Sequence, residues 1–160
     1  MSTLKVNSIT ETDGSAFPLG KILQSKIGTL SQALNGNSGS WSDMGISQTI
    51  TLSSTSNKLL ITLSTTPYLG GGSEERFGMQ VVYTPSGGST TTAIQDNYYA
   101  YRTSDDWKSS SGHHQALVSP SSTAEITVKA QYKRYSGGDT LHLFSSNVSN
   151  DTILLQEVAA

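Results

Sequence analysis

The chain of 160 residues contains no cysteine and few charged residues. The absence of cysteine excludes disulfide bonds, thiol catalysis and cysteine-ligated zinc, and it leaves the redox compartment undetermined. Charged residues make up 14% of the chain and the formal net charge is -2, so the sequence offers no basic surface that would attract nucleic acid or an anionic membrane. We therefore expect no nucleic-acid partner.

Long hydrophobic segments are also missing. No stretch approaches the roughly 20 apolar residues of a membrane-spanning helix, and the N-terminus lacks the basic and apolar regions of a signal peptide. The sequence thus predicts a soluble protein that is made in a cytoplasm and does not insert into a membrane. Its length suits one domain, which at this size buries roughly 70% of the surface of the unfolded chain.

The motifs of common enzyme classes do not occur. There is no G-x-S-x-G, no H-E-x-x-H, no P-loop and no G-x-G-x-x-G, and the glycines at 70–72 are not followed by a helical pattern that would aim amides at a phosphate. The acidic pairs at 74–75 and 105–106 consist of adjacent residues in predicted loops, whereas glycosidases hold two carboxylates about 5 to 9 Å apart across a cleft. We predict no catalytic residue, no cofactor and no enzymatic activity, with a glycan depolymerase as the enzyme alternative.

The residues most similar to a metal-binding set are Asp105, Asp106, His113 and His114. Adjacent residues of a strand point to opposite faces, so one chain offers a metal only one of the two histidines. Because metal sites bring several ligands together, we expect solvated polar residues here and no metal. A metal held by several copies of the two histidines on a symmetry axis stays open.

The strongest pattern is an alternation at Thr123–Tyr132. Polar residues separate five apolar ones, namely Ala124, Ile126, Val128, Ala130 and Tyr132. This period of two predicts a strand with one face in the core and the other in water. Similar runs predict further strands, which we interpret as its partners, at Asn57–Ser64, Arg76–Thr84, Thr140–Phe144 and Thr152–Val158.

The predicted fold class is all-β, an antiparallel β-sandwich or jelly-roll-like knob preceded by a short extended segment. Gly, Ser, Pro and Asn separate about nine short strands, and no βαβ period occurs. Gly137–Asp139 is predicted to form a hairpin turn between the strand at 123–132 and the one at 140–144. A helix at Leu30–Asn35 stays open.

Two predicted strands, Lys21–Ile27 and Thr152–Val158, are apolar on both faces. In the first strand Ile22 is expected on one face, and Leu23 and Ile27 on the other. Such strands require a second cover beyond the core, and a neighbouring subunit is the simplest one. The candidate subunit interface is therefore formed by Ile22, Leu23, Ile27, Leu154 and Val158.

An aromatic segment offers the best candidate for contact with a receptor or a glycan. Aromatic faces stack on sugar rings and neighbouring polar groups bind hydroxyls, although tyrosines on strands also complete cores and interface rims. The segment lies where the alternation is weakest, and recognition residues often lie on loops of a rigid scaffold. We expect it at the end of the knob distant from residue 20, with candidate contacts Tyr98, Tyr99, Tyr101, Arg102 and Trp107.

Several short motifs, in order along the whole chain, resemble small bacteriophage fibre proteins, notably from phages of cyanobacteria and marine bacteria. The opening Ser2–Ile9 has the form S-T-L-K-V-N-x-I, and Gly20–Gln24 resembles the V/I-L-Q entry to a β domain of these proteins. Three further motifs follow in the same order, at Trp41–Met44, Ser53–Lys58 and Ile153–Ala160.

The resemblance implies a virion protein, a trimeric tail or head fibre or knob that contacts the host surface. Residues 1–20 would anchor the chain to other virion proteins and align the subunits, and residues 21–160 would form the knob. Within the anchor the apolar residues are Leu4, Val6 and Ile9. The alternative in the same class is a capsid decoration protein without a role in adhesion.

Overall fold

The computed structural model describes residues 20–30, 34–36, 38–66, 68–70, 75–100, 108–109, 112–136, 140–143 and 151–160. These residues form twelve β-strands and no helix. The first six strands are β1 (Ile22–Thr29), β2 (Leu34–Gly36), β3 (Ser42–Thr51), β4 (Lys58–Thr65), β5 (Tyr68–Gly70) and β6 (Glu75–Pro85). The others are β7 (Thr91–Ala100), β8 (Lys108–Ser109), β9 (Gly112–Val118), β10 (Glu125–Ser136), β11 (Thr140–Leu143) and β12 (Thr152–Val158).

Two antiparallel sheets form a β-sandwich, which confirms the predicted fold class. The first sheet has the strand order β1-β12-β4-β9 and the second has the order β3-β10-β6-β7. Their inner faces share one core, because side chains at alternate positions of both sheets are buried against each other. A smaller sheet of short strands has the order β2-β11-β5-β8.

The alternation at 123–132 belongs to β10, a central strand of the second sheet. Ile126, Val128 and Ala130 are fully buried, whereas Glu125 is exposed on the other face. The same arrangement holds in β4, part of the predicted strand at Asn57–Ser64, where Leu59, Ile61 and Leu63 face the core. Burial of one such aliphatic side chain contributes on the order of 1.5 to 3 kcal/mol, so these inner faces supply most of the driving force for folding.

The sheet partners differ from the prediction. Only β6 among the four predicted partners pairs with β10, whereas β4 and β12 pair with each other in the opposite sheet. The predicted hairpin with the strand at 140–144 is wrong, because β3 and β6 occupy both edges of β10. Strand β11 pairs instead with β2 and β5. The turn at 137–139 lies outside the described residues.

The small third sheet includes part of the segment Leu30–Asn35, for which the sequence left a helix open. Residues 34–36 form β2, because their backbone pairs with β11. Residues 68–70 form β5, which lies between β11 and β8. In the second sheet, β7 continues to Ala100, so the backbone of Tyr98 and Tyr99 belongs to a strand and not to a connection between strands.

A bulge in β1 changes which residues share a face. Ile22 pairs with Val158 and Ile27 with Leu154, with a shift of register between Ile22 and Gln24. One extra residue, Leu23, reverses the alternation. Ile22 and Ile27 therefore lie on the same outer face, not on opposite faces as the simple alternation predicted.

One side of the sandwich is closed where β1 approaches β3. The Gln48 side chain donates a hydrogen bond to the Ile27 carbonyl at 2.6 Å, and the Gln24 side chain donates to the Thr51 carbonyl at 2.7 Å. Gly28, the residue after Ile27, is buried, and a Cβ atom at this position would lie 2.5 Å from the Ser47 carbonyl oxygen. The two backbones approach this closely only because residue 28 has no side chain.

We expect Gly28→Ala to lower the free energy of unfolding by about 1 to 3 kcal/mol, because the new methyl group displaces backbone rather than a flexible side chain. Urea denaturation followed by tryptophan fluorescence measures the change. Gly39→Ala, where the added Cβ atom would meet nothing within 4 Å, is the matched control and should change the stability by less than about 0.5 kcal/mol. Equal stability of Gly28→Ala and the unmodified protein would contradict the close approach.

Candidate functional site

The outer side of the first sheet forms a surface that we call the neutral face. It consists of residues that alternate with the core positions of β1, β12, β4 and β9. These are Ile22, Ser25, Ile27, Thr29, Lys58, Leu60, Thr62, Ser64, His113, Gln115, Leu117, Thr152, Leu154, Gln156 and Val158. Among these register positions Lys58, at one end, is the only lysine, arginine or carboxylate.

Large apolar side chains on the neutral face are exposed to solvent. The exposed fraction is 50% for Ile22, 60% for Ile27 and 54% for Leu117. Several polar groups between them bind each other: Gln156 donates to Ser25 at 3.2 Å and Gln115 donates to Thr62 at 3.1 Å. Polar groups that are already paired cost little when they are removed from water, so this face is suited to burial against another surface.

Four of the five residues predicted for a subunit interface lie on this face: Ile22, Ile27, Leu154 and Val158. Leu23 lies in the bulge and is 43% exposed. Their opposite neighbours in β12, Ile153 and Leu155, are fully buried in the core. The strand is thus apolar on both sides, and the described part of the chain fully covers only one of the two.

The two adjacent histidines lie on opposite sides of β9. His113 occupies the neutral face, where its Nδ1 atom and the Ser64 hydroxyl are 3.0 Å apart. His114 pairs with Leu63, whose side chain points into the core. In the described part of the chain no three His, Asp or Glu side chains converge as a metal-binding group.

The outer side of the second sheet carries a pair of aromatic rings, which we call the aromatic platform. It consists of Trp41 and Tyr135, which lie above Gly78, with Lys133 beside them. The ring centroids are 6.4 Å apart and the ring planes meet at 89°. The Lys133 ammonium group lies 4.9 Å from the centre of the Tyr135 ring, within the range of a cation–π contact.

A row of hydrogen-bonded polar side chains crosses the same face next to the platform. Gln80 donates to Gln131 at 2.7 Å, and Gln131 donates to Asp43 at 2.8 Å. Lys129 binds the other carboxylate oxygen of Asp43 at 2.8 Å. Partial burial acts to raise the pKa of Asp43, but the hydrogen bonds from Lys129 and Gln131 outweigh it and lower that pKa. Asp43 therefore stays ionised at neutral pH.

The platform is only partly visible in the sequence. The alternation of apolar residues predicts this strand as far as Tyr132, although β10 continues to Ser136. Continuing it by three residues, to Tyr135, places that ring on the outer face together with Lys133. The signal was therefore present in the period of β10, but no spacing in the sequence indicates that Trp41 reaches the same place.

The predicted aromatic segment is described only in part. The backbone of Tyr98 and Tyr99 pairs with Phe77 and Arg76, at the Arg134 end of β10. Tyr101, Arg102 and Trp107 lie outside the described residues, and the side-chain contacts predicted for the segment stay a prediction. Leu4, Val6 and Ile9 of the predicted anchor also lie outside.

A buried carboxylate lies at the other end of the sandwich. Glu157 is 1% exposed and accepts hydrogen bonds from the Gln24 side chain at 2.6 Å, from the Ser53 amide at 2.6 Å and hydroxyl at 2.7 Å, and from the Asn57 side chain at 2.6 Å. Burial acts to raise its pKa, but hydrogen bonds from Asn57, Gln24 and Ser53 lower it to about 2. This carboxylate joins β1 and β12 to the turn between β3 and β4.

Asp151 is a second buried carboxylate, but its surroundings raise its pKa instead of lowering it. It is 1% exposed, and its Oδ1 atom accepts a hydrogen bond from the Thr66 amide at 2.9 Å. Its Oδ2 atom has no partner in the described part of the chain. Burial raises its pKa to about 6, and the bond from Thr66 offsets only part of that shift. The ionised form therefore destabilises the fold at neutral pH.

We expect Glu157→Gln to lower the free energy of unfolding by about 2 to 4 kcal/mol at pH 7, because four donors lose a charged acceptor and one amide hydrogen faces another donor. Chemical denaturation measures the change. Asp151→Asn is the matched variant and should raise the stability at pH 7 by on the order of 1 kcal/mol, since it removes a buried charge that solvent screens only in part. A loss of stability in Asp151→Asn would contradict the assigned surroundings.

The two carboxylates also predict opposite dependences on pH. The pKa of Glu157 is lower in the folded than in the unfolded state, so its contribution is complete above pH 4.5 and is lost as the pH falls toward 2. The pKa of Asp151 is higher in the folded state, so its cost is complete above pH 6 and disappears as the pH falls toward 3.8. In unfolding curves measured at a series of pH values, Asp151→Asn should lack the effect of Asp151 between pH 6 and 3.8 and retain the loss of the Glu157 contribution below pH 4.5.

Comparison with known proteins concerns the fold. No protein-family profile and no curated protein sequence matches the chain. Solved structures with a similar fold include infectious bursal disease virus of the Gt strain, at 10% identity and a TM-score of 0.47 over 98% of this chain and 42% of the viral chain. They also include the VP2 subviral particle of that virus, at 8% identity and a TM-score of 0.48 over 98% and 45%. The chain thus spans less than half the length of these viral chains.

Proposed function

We propose that this chain is a structural protein of a bacteriophage virion and that its subunits associate through the neutral face. The observation that carries the proposal is the uncovered outer side of the first sheet, where Ile22, Ile27 and Leu117 are each at least half exposed. The ordered motifs that resemble phage fibre proteins support the same role. We propose a tail or head fibre or knob that contacts the host surface.

Association through the neutral face is favourable for physical reasons. Burying an Ile or Leu side chain contributes on the order of 1.5 to 3 kcal/mol, and a symmetric assembly repeats the gain at every interface, which can offset the entropy lost on association. Two copies of the face can meet without bringing like charges together, because its charged residue, Lys58, lies at one end. A second copy of this chain therefore fits the face better than a charged partner does.

We propose a homotrimer in which β1 and β12 line the axis. Apolar strands do not by themselves select a symmetry, so the three-fold arrangement rests on the fibre resemblance. In this proposal residues 1–20 attach the assembly to other virion proteins through Leu4, Val6 and Ile9. A capsid decoration protein would use the same face, and imaging of particles distinguishes the two roles by the position of the protein on the head or the tail.

We expect Leu154→Glu to dissociate the assembly, because the new carboxylate would be buried at the interface without a partner. Light scattering at micromolar concentration should give three times the 17.0 kDa mass of the chain for the unmodified protein and a single chain mass for the variant. Thr127→Glu adds the same charge to the outer side of the second sheet and should leave the assembly intact. A monomeric unmodified protein would refute the association.

The virion role has a separate test. Mass spectrometry of purified particles should detect the protein in a constant ratio to the major structural proteins. Its absence from particles, together with its presence in the infected cell, would overturn the role. Release of reducing ends from host polysaccharide by the pure protein would favour the depolymerase alternative.

A further inference from the structure

The aromatic platform is built into the sheet and is not a pair of loose surface rings. A Cβ atom at position 78 would lie 2.6 Å from the Tyr135 ring and 3.0 Å from the Trp41 ring. Both rings therefore lie against the backbone of β6, in space that exists only because this residue is glycine. The edge-to-face geometry fixes the rings relative to each other, and the Lys133 ammonium group adds a third contact.

Packing alone does not account for this arrangement. The Tyr135 side chain remains 45% exposed, although a tyrosine gains most from full burial of its ring. Tyr135 lies in an irregularity of β10, since the register shifts between Arg134 and Ser136. A bulge turns a side chain in a new direction, and bulges are frequent beside binding sites. The exposed aromatic surface is thus held in place without being covered.

Polar groups surround the rings in a regular order. Lys133 pairs with Gly78 beneath the rings, and in the next row Gln131 pairs with Gln80. Asp43 ends that row with a carboxylate that is 48% exposed and is held by Lys129. The face therefore offers an ammonium group, the amide of Gln131 and an ionised carboxylate beside an apolar surface, within one or two strand spacings of about 4.8 Å. The Gln80 side chain itself is buried.

We propose that the aromatic platform binds a pyranose ring of a glycan, with Trp41 and Tyr135 in contact with the apolar face of the sugar. A pyranose carries C–H groups on its faces and hydroxyl groups around its edge, so it complements an aromatic surface with amide and carboxylate groups around it. A nucleic acid fits poorly, because the chain has a net charge of -2 and Asp43 faces the same surface.

The position of the platform agrees with a role in recognition. Gln24, close to residue 20, binds the carbonyl of Thr51, which pairs with Glu125 at one end of β10. The platform lies at Lys133 and Tyr135, eight to ten residues farther along, or about 30 Å at the rise of a strand. It also lies on the opposite sheet from the neutral face, so association of subunits through that face leaves it accessible.

This site goes beyond the proposed structural role and rests on it only for the source of the glycan, which would be the host surface. Binding by the isolated protein tests the site without reference to particles. A failure of glycan binding therefore leaves the virion role standing, and absence from particles leaves the site standing.

The experiment uses the full chain with Trp107→Phe, which leaves Trp41 as the single tryptophan. Its fluorescence is titrated with cellohexaose, maltohexaose, chitohexaose and hexagalacturonate, so that neutral, N-acetylated and anionic sugars are distinguished. We expect a saturable change with at least one of the four. In the same background, Tyr135→Ala should weaken that binding about tenfold or more, whereas Tyr135→Phe keeps the ring and should retain it.

A second pair of variants separates the platform from the predicted aromatic segment. Calorimetry with the best sugar should show binding lost in Trp41→Ala and retained in Trp107→Ala. The reverse result would overturn the proposal in favour of residues 98–107. No saturable response to any of the four sugars would also overturn it, and circular dichroism of each variant establishes that the fold is intact. Gly78→Ala, which pushes on both rings without removing either, should weaken binding as well.

Discussion

The carboxylate of Glu157 is the interaction on which the order of this sandwich depends. Burial of apolar side chains is not directional, so it brings the sheets together but does not specify how their edges and turns are arranged. At one end Glu157 specifies that arrangement, because its two oxygen atoms accept hydrogen bonds from Gln24 in β1, from Ser53 and from Asn57. The side-chain oxygen of Asn57 in turn accepts a hydrogen bond from the Ala160 amide at 3.3 Å. The edge strand, a turn and the last residues of the chain are thus joined at a single buried charge.

This network joins three of the short motifs that are scattered along the sequence. Gln24 ends the motif that precedes the β domain, Ser53 and Asn57 belong to the serine-rich motif before β4, and Glu157 belongs to the last motif. A buried carboxylate without its donors costs several kcal/mol, so residues that are far apart in the chain depend on one another here. Three of the five motifs, those at Gly20–Gln24, Ser53–Lys58 and Ile153–Ala160, thus contribute to one hydrogen-bonded structure.

The sequence predicts which segments form strands more reliably than it predicts which strands are adjacent in a sheet. Alternation depends on burial of one face, and the inner positions of β4, β6 and β10 follow from it, whereas β12 is apolar on both faces. Both sheets of a sandwich bury one face in the same core, so alternation does not tell which sheet a strand joins, and β4 and β12 were assigned to the wrong one. The bulge at Leu23 and the approach at Gly28 also depend on the opposite strand and have no local signal. The aromatic platform was missed for the same reason, since Trp41 reaches Gly78 from another strand.

The outer faces of the two sheets differ in how their polar groups are hydrogen-bonded, and this difference determines which kind of partner each face can bind. On the first sheet, amide and hydroxyl groups such as Gln115 and Thr62 bind each other between exposed apolar side chains. Such a face loses little when water is removed. On the second sheet, Lys129 and Asp43 stay in contact with water and the aromatic rings lie among charged and amide groups. Desolvating those charges against a flat protein surface would cost more than it returns. An assembly that buries the outer face of the first sheet therefore leaves the outer face of the second sheet exposed to solvent. That exposed face can bind a small hydrated ligand without desolvating its charged groups.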